Sequence, residues 1–160
     1  MSDTAERTTG SRPTRRRDGH IVVGIDESDS ARDALAWAAV EARQFDVPLD
    51  VVYAWDGIGV RLARESGWVK AVTVDLERGA AEDVINQVVT AALGEHPDVK
   101  ITPMPVPGEA AEALIEASRD ADLLVVGCRG VGGFDGLYLG SVSEKCVHHA
   151  HCPVVVVRGD

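Results

Sequence analysis

The chain has 160 residues, 45% of them hydrophobic, with 16 basic side chains against 26 acidic ones and a formal net charge of −10. That is chain enough for one domain with a real core; no apolar run approaches the roughly 20 residues of a membrane span, and no apolar stretch near the N-terminus reads as a secretory signal. The cysteines, at 128, 146 and 152, do not form a disulfide framework, so a reduced, cytoplasmic setting is expected.

Residues 1–19 carry five arginines (7, 12, 15, 16 and 17) against Asp3, Glu6 and Asp18, a sum of +2 that leaves −12 on residues 20–160. Rich in Ser, Thr, Gly and Pro, 1–19 is expected to be a disordered basic tail before a single domain, 20–160. A body this acidic repels nucleic acid over its general surface. Neither nucleic acid nor a membrane is expected as a partner.

"HIVVGI" (20–25) is a short β-branched run and reads as a buried strand. In "SDSARDALAWAAVEARQF" (28–45), Leu35, Ala38, Ala39 and Ala42 recur at helical spacing, and Ser30 with Asp33 resembles a capping box. "PLDVVYAW" (48–55) is a second strand. Residues 56–74, with Gly57, Gly59 and Gly67, read as a long loop with a short helix, of a length that suggests a flap. Val84, Ile85, Val88, Val89 and Ala92 predict a helix over 76–93, ended by Gly94 and Pro97.

"KITPMPV" (100–106) is a weaker strand that its prolines confine to an edge or near one. "GEAAEALIEASRD" (108–120) is a third helix and "DLLVVG" (122–127) a strongly apolar strand. "SVSEKCVHHA" (141–150) is a fourth helix and "CPVVVVR" (152–158) the last strand. Strict alternation of strand and helix predicts an α/β fold, a parallel sheet with helices on both faces. Val154–Val157 has no following helix to cover it, so as an edge it calls for pairing with a second copy in a homodimer.

Ligands of such sheets bind beyond the carboxyl ends of the strands, where strand order reverses. Two loops have the chemistry for that place: the one after the first strand, with Asp26 and Ser28, and "GCRGVGGFDGLYLGSVS" (127–143). The second has no lysine before Ser141 and so is not a P-loop, and Asp135 breaks the G-x-G-x-x-G frame that starts at Gly130. It does have Gly127-x2-Gly130-x9-Gly140-Ser141. Gly127 and Gly130 allow a tight exit from the strand and close backbone approach to a ligand. Gly140, Ser141, Val142 and Ser143 open a helix whose unpaired N–H groups favour an anion. The hydroxyls of Ser141 and Ser143 suit either phosphate oxygens or helix capping. Arg129 is in reach of phosphate or of solvent, Lys145 reads as a surface residue, and Gly132, Gly133 and Gly136 make Val131–Leu139 the part expected to move.

This glycine spacing resembles the nucleotide-binding motif of the universal stress protein family. "VVGIDESDSARDAL" resembles that family's opening strand and Asp-x-Ser turn, "VPGEAAEALIEAS" its strand-to-helix segment, and "HHAHCPVVVVR" its H-A-x-C-P ending. The resemblance covers roughly residues 20–158. It implies a Rossmann-like open five-stranded parallel sheet of order 3-2-1-4-5, a dimer through the last strand, and ATP with Mg²⁺ or Mn²⁺ as ligand. By position, Asp26 would approach the ribose or a metal linked to the phosphates. Gly127, Gly130, Gly140, Ser141 and Ser143 would hold the phosphates, with Val142 in the same turn. Val52, Ala54 and Val106 would lie near the adenine. The implied role is a cytoplasmic stress-response regulator with a regulatory protein partner. The alternatives are an interaction module that binds ATP poorly, or a slow ATPase, for which no dedicated base is evident.

Other residues read more plainly. His148, His149, His151 and Cys152 cross from a helix into a strand, so their side chains diverge and a native metal site is not expected. Cys128 reads as small-residue packing, and Trp37, Trp55 and Trp68 as core or interface.

Overall fold

The strand that comes first in sequence becomes the centre of the sheet. A computed structural model of the chain describes residues 19–57, 71–130 and 139–159. Its elements are β1 (Ile21–Gly24), α1 (Asp29–Phe45), β2 (Leu49–Trp55), α2 (Ala71–Leu93), β3 (Ile101–Pro107), α3 (Ala110–Ala117), β4 (Leu123–Gly127), α4 (Ser141–His149) and β5 (Val154–Val157). The strands pair in the order β3-β2-β1-β4-β5, all parallel, as expected.

β1 is buried on both faces because its residues alternate between two cores. Ile21, Val23 and Ile25 join Leu49, Val51, Leu123 and Val125 beneath α1 and α2, where Leu35, Ala38, Ala42 and Ile85 cover them. Val22 joins Val52, Leu124 and Val126 on the other face, against Leu114 of α3 and Cys146 of α4. Alanines at 31, 34, 38, 39 and 42 give α1 a thin buried face, so it lies close to the sheet. Gly24 does the same for α3: a Cβ there would stand 2.7 Å from Leu114 Cδ1.

β3 is an edge strand, and its prolines explain how it tolerates the place. Leu49 N–H donates to Lys100 C=O and Gly108 N–H to Trp55 C=O, so even-numbered residues of β3 face β2. Pro103, Pro105 and Pro107 therefore point their missing N–H toward the free edge, where none is needed. β5 is the other edge, with all four valines half-buried.

Three expectations change. The N-cap of α1 is Ser28, whose side chain accepts from Ala31 N–H, not Ser30: the turn after β1 closes two residues earlier because Asp26 takes up Ser28. α2 begins at Ala71 rather than Leu76; the β-branched Val72, Thr73 and Val74 lower helix propensity by only about 0.5 kcal/mol each, too little to stop it. α3 is shorter than 108–120, since Glu109 caps its start and Ser118 its end. The basic tail, the centre of the 56–74 segment with Trp68, and nearly all of Val131–Leu139 lie in 1–18, 58–70 and 131–138, outside the described residues.

Candidate functional site

The chain leaves β1 toward β2 and returns after β3 to place β4 on β1's other side. The loops that leave the carboxyl ends of β1 and β4 therefore lead to helices on opposite faces of the sheet, the switch point where ligands of such sheets bind, and they carry Asp26 and Gly127–Gly130. The two loops meet. A Cβ on Gly130 would stand 2.5 Å from Asp26 Oδ2, so the carboxylate lies directly over that glycine. The other oxygen, Oδ1, accepts from Ser28 N–H at 2.9 Å and from the Ser28 hydroxyl.

Gly127 has a different neighbour. A Cβ there would stand 2.5 Å from Ser30 Oγ and 2.9 Å from the backbone C and O of Ser30. Its lack of a side chain lets the first turn of α1 settle on the end of β4, which differs from the expected approach of backbone to ligand.

Across the switch point, α4 starts at Gly140, which caps it without a side-chain hydrogen bond. The first N–H groups of such a helix have no intrahelical partner, and here they belong to Ser141, Val142 and Ser143. Gly140 sits against the other loop end: its Cβ would stand 3.4 Å from Arg129 Cα and 3.6 Å from Gly130 N. Asp26, Gly130 and Gly140 thus form one continuous surface.

Cys128 ties this surface together. Its carbonyl accepts from Gly140 N–H at 2.7 Å and from Ser143 Oγ at 3.1 Å, closing the neck of the glycine loop. Its own N–H donates to Val157 C=O at 2.8 Å. Its thiol lies 3.7 Å from Ser30 Oγ. Burial raises the thiol's pKa, but hydrogen bonds from Ser30, the Gly159 backbone and Arg129 outweigh it, and the net shift is downward. Ser143, 3% exposed, shares its one hydroxyl proton between the carbonyls of Cys128 at 3.1 Å and Gly140 at 3.0 Å. It braces the loop from within, and only its amide belongs to the helix-start surface. Ser141 is exposed, as is Arg129.

On the β2 side, Val52 is 2% exposed and its side chain belongs to the core under α3 and α4; it supports the site from behind. Ala54 and Val106 pair in register near the carboxyl ends of β2 and β3 and are half-buried, Val106 packing against the same core. Tyr53 escaped the sequence reading. Burial raises its pKa and the carboxylates of Glu27 and Asp26 add to the shift, which puts the phenol in the field of the β1 loop. The packing of Ser30 against Gly127 and Cys128, and the part played by Gly159, were not legible because these contacts join distant segments: a Cβ on Gly159 would stand 2.7 Å from Asp33 Oδ2. Lys145 is a surface residue, paired with Glu109 at 3.3 Å.

For a cation, the site offers Asp26. Among the described residues no three His, Cys, Asp or Glu side chains gather in a way that would hold a metal. This donor set fits a hard cation that arrives with most of its ligands on a phosphate chain, and does not fit a resident protein-caged metal. Among the described residues no helix is long and apolar enough to cross a membrane.

Comparison with known proteins gives the arrangement a family. A universal stress protein of Mycobacterium tuberculosis is 35% identical over 148 residues, 88% of this chain and 48% of its own length; the chain spans about half the length of the curated relatives it matches. A universal stress protein from Lactobacillus plantarum superposes with a TM-score of 0.65 at 23% identity, over 90% of this chain and 100% of that one. Another, solved in complex with cAMP, superposes with a TM-score of 0.61 at 26% identity, over 88% of this chain and 97% of its own. The model of the Universal stress protein family matches residues 19–158, from before β1 to beyond β5, and the chain belongs to that family.

Proposed function

We propose that this chain binds ATP with Mg²⁺ or Mn²⁺ at the β1–β4 switch point and acts as a cytoplasmic stress-response regulator, dimeric through β5. One observation carries the reading: the Asp26 carboxylate, the bare backbone of Gly130 and the start of α4 converge on a single surface whose neck the Cys128 carbonyl closes. The cAMP complex of a relative 26% identical supports a nucleotide as the ligand class. In this reading the amides of Ser141, Val142 and Ser143 hold phosphate oxygens, with Arg129 at the rim. Asp26 takes the ribose or the cation, and Ala54 and Val106 flank the base. Gly127 and Val52 act from behind, as packing.

Magnitudes require both halves of the site. A helix start contributes roughly 0.3–2 kcal/mol toward a neighbouring anion, whereas micromolar binding needs about 8 kcal/mol. Burial of the base has to supply much of the difference, and a cation has to offset phosphate charge beside a domain this acidic. When bound, Mg²⁺ or Mn²⁺ would supply that neutralisation and orient the phosphates.

The test is direct. Purified protein is denatured and any released nucleotide identified, then Mg·ATP is titrated calorimetrically into stripped protein. Released adenine nucleotide or micromolar binding is expected. No released nucleotide, together with no thermal shift at millimolar Mg·ATP, overturns the reading in favour of an interaction module of the same fold. Light scattering of the full chain and of one lacking residues 153–160 tests the dimer; a monomeric full chain rejects it.

A further inference from the structure

We infer that Ser28 is a positioning residue of this site, holding one oxygen of Asp26 so that the other faces Gly130 across the switch point. Its consequence for binding rests on the nucleotide reading above; its geometry does not.

Ser28 is used three times. Its N–H donates to Asp26 Oδ1 at 2.9 Å, its hydroxyl donates to the same oxygen, and its Oγ accepts from Ala31 N–H at 3.2 Å as the N-cap of α1. A serine hydroxyl has one proton to give and lone pairs to receive. Here the proton goes to the carboxylate and a lone pair takes the helix N–H. The helix thus polarises the group that holds Asp26, as expected of linked hydrogen bonds. With both Ser28 donors on Oδ1, rotation of the carboxylate by half a turn only exchanges equivalent oxygens, while smaller rotations break two charge-assisted bonds. The plane of the carboxylate is therefore fixed, with Oδ2 seated over Gly130, where a Cβ would stand 2.5 Å away. The Asp-x-Ser turn and the second glycine of the loop are complementary parts of one device.

A cap and a positioning group respond differently to substitution. Glycine is nearly as good an N-cap as serine, whereas alanine is poor, and neither donates a hydroxyl proton. Threonine keeps both functions. Mg·ATP affinity is expected to fall about tenfold in both Ser28→Gly and Ser28→Ala, in keeping with loss of a hydrogen bond to a charged group, and to return in Ser28→Thr. In an Asp26→Ala background, Ser28→Gly is expected to cause no further loss. In nucleotide-free protein, the Gly130 amide resonance is expected to move in Ser28→Gly and to stay in Ser28→Thr. Wild-type affinity in Ser28→Gly, or losses that add to that of Asp26→Ala, reduces Ser28 to a helix cap and overturns the inference. If wild-type protein binds no Mg·ATP, the functional reading fails by itself, and the Gly130 resonance decides: unmoved in Ser28→Gly, it overturns the positioning role, and moved, it sustains it.

Discussion

Two glycines of the same motif should fail in opposite ways. In Gly127→Ala the new methyl lands 2.5 Å from Ser30 Oγ and 2.9 Å from Ser30 C and O. The hydroxyl can turn away, but the backbone of α1's first turn cannot move without disturbing the Ser28 cap and the contact over Gly159. Overpacking of this kind costs about 1–3 kcal/mol, against a gain of about 0.4–1 kcal/mol from the stiffer unfolded chain. The net loss of up to about 2.6 kcal/mol corresponds to a fall in Tm of up to about 10 °C for a domain of this size. In Gly140→Ala the nearest atoms stand 3.4–3.6 Å away and φ is −74°, which an alanine adopts freely; the poorer N-cap costs about 0.5–1.5 kcal/mol and the stiffer unfolded chain returns about 0.4–1 kcal/mol, so stability should change by less than about 1 kcal/mol. Its methyl faces the Arg129–Gly130 end of the site, so the change should appear in Mg·ATP affinity. Urea melts of the two variants and calorimetric titration of Gly140→Ala measure these outcomes. Equal stabilities, or a destabilised Gly140→Ala beside an unaffected Gly127→Ala, would refute the assignment of Gly127 to the α1–β4 contact.

Ser143→Ala should cost only about 1 kcal/mol despite the residue's burial, because both carbonyls it serves keep another donor, Gly140 N–H on Cys128 and Glu144 N–H on Gly140; a urea melt checks this. Gly79 lies exposed in α2 with nothing within 4 Å of its would-be Cβ, so Gly79→Ala should stabilise the fold by about 0.5–1 kcal/mol, read as a higher urea midpoint. Burial pushes the pKa of Cys146 up to about 11 from 9.0, with Glu109 adding to it. The folded state therefore holds this proton more tightly than the unfolded one. The stabilisation is complete below about pH 9 and is lost as pH rises toward 11, on the order of 3 kcal/mol. Urea melts from pH 8 to 11 should show a shallower fall in Cys146→Ala than in the parent chain; identical slopes would count against a buried, protonated thiol.

Element order and the two covered faces of the sheet were legible in the residues alone. β-branched runs alternate with helical periods, and runs such as Ile21–Val23 and Leu124–Val126 have no polar residue to offer a solvated face, so their strands are covered on both sides. The residues also marked the strand of Pro103 and Pro105 as an edge or near one, since a missing N–H is tolerated best there. The chemistry of the two loops, with the strand order that the family resemblance implies, placed Asp26 and the glycine loop at one site; alternation alone does not set the first and fourth strands side by side. Local signals served less well where two patterns competed. Ser28 and Ser30 are both plausible caps in "DESDSARD", and only the hold of Asp26 on Ser28 separates them.

The division of labour within the motifs emerges from the packing and not from the residue pattern. Glycines 127, 130 and 140 are alike as letters, yet one admits the backbone of Ser30, one seats the carboxylate of Asp26, and one opens α4. The partners that distinguish them lie far away in sequence, 98 residues in the case of Ser30 and Cys128, and no local rule reaches that far. The same holds for Ser143, whose hydroxyl turns inward to the Cys128 carbonyl, and for Val52, whose side chain is core. Spacing along a chain records which residues arrive together at a switch point; direction and contact are set by how closely the elements pack once they are there.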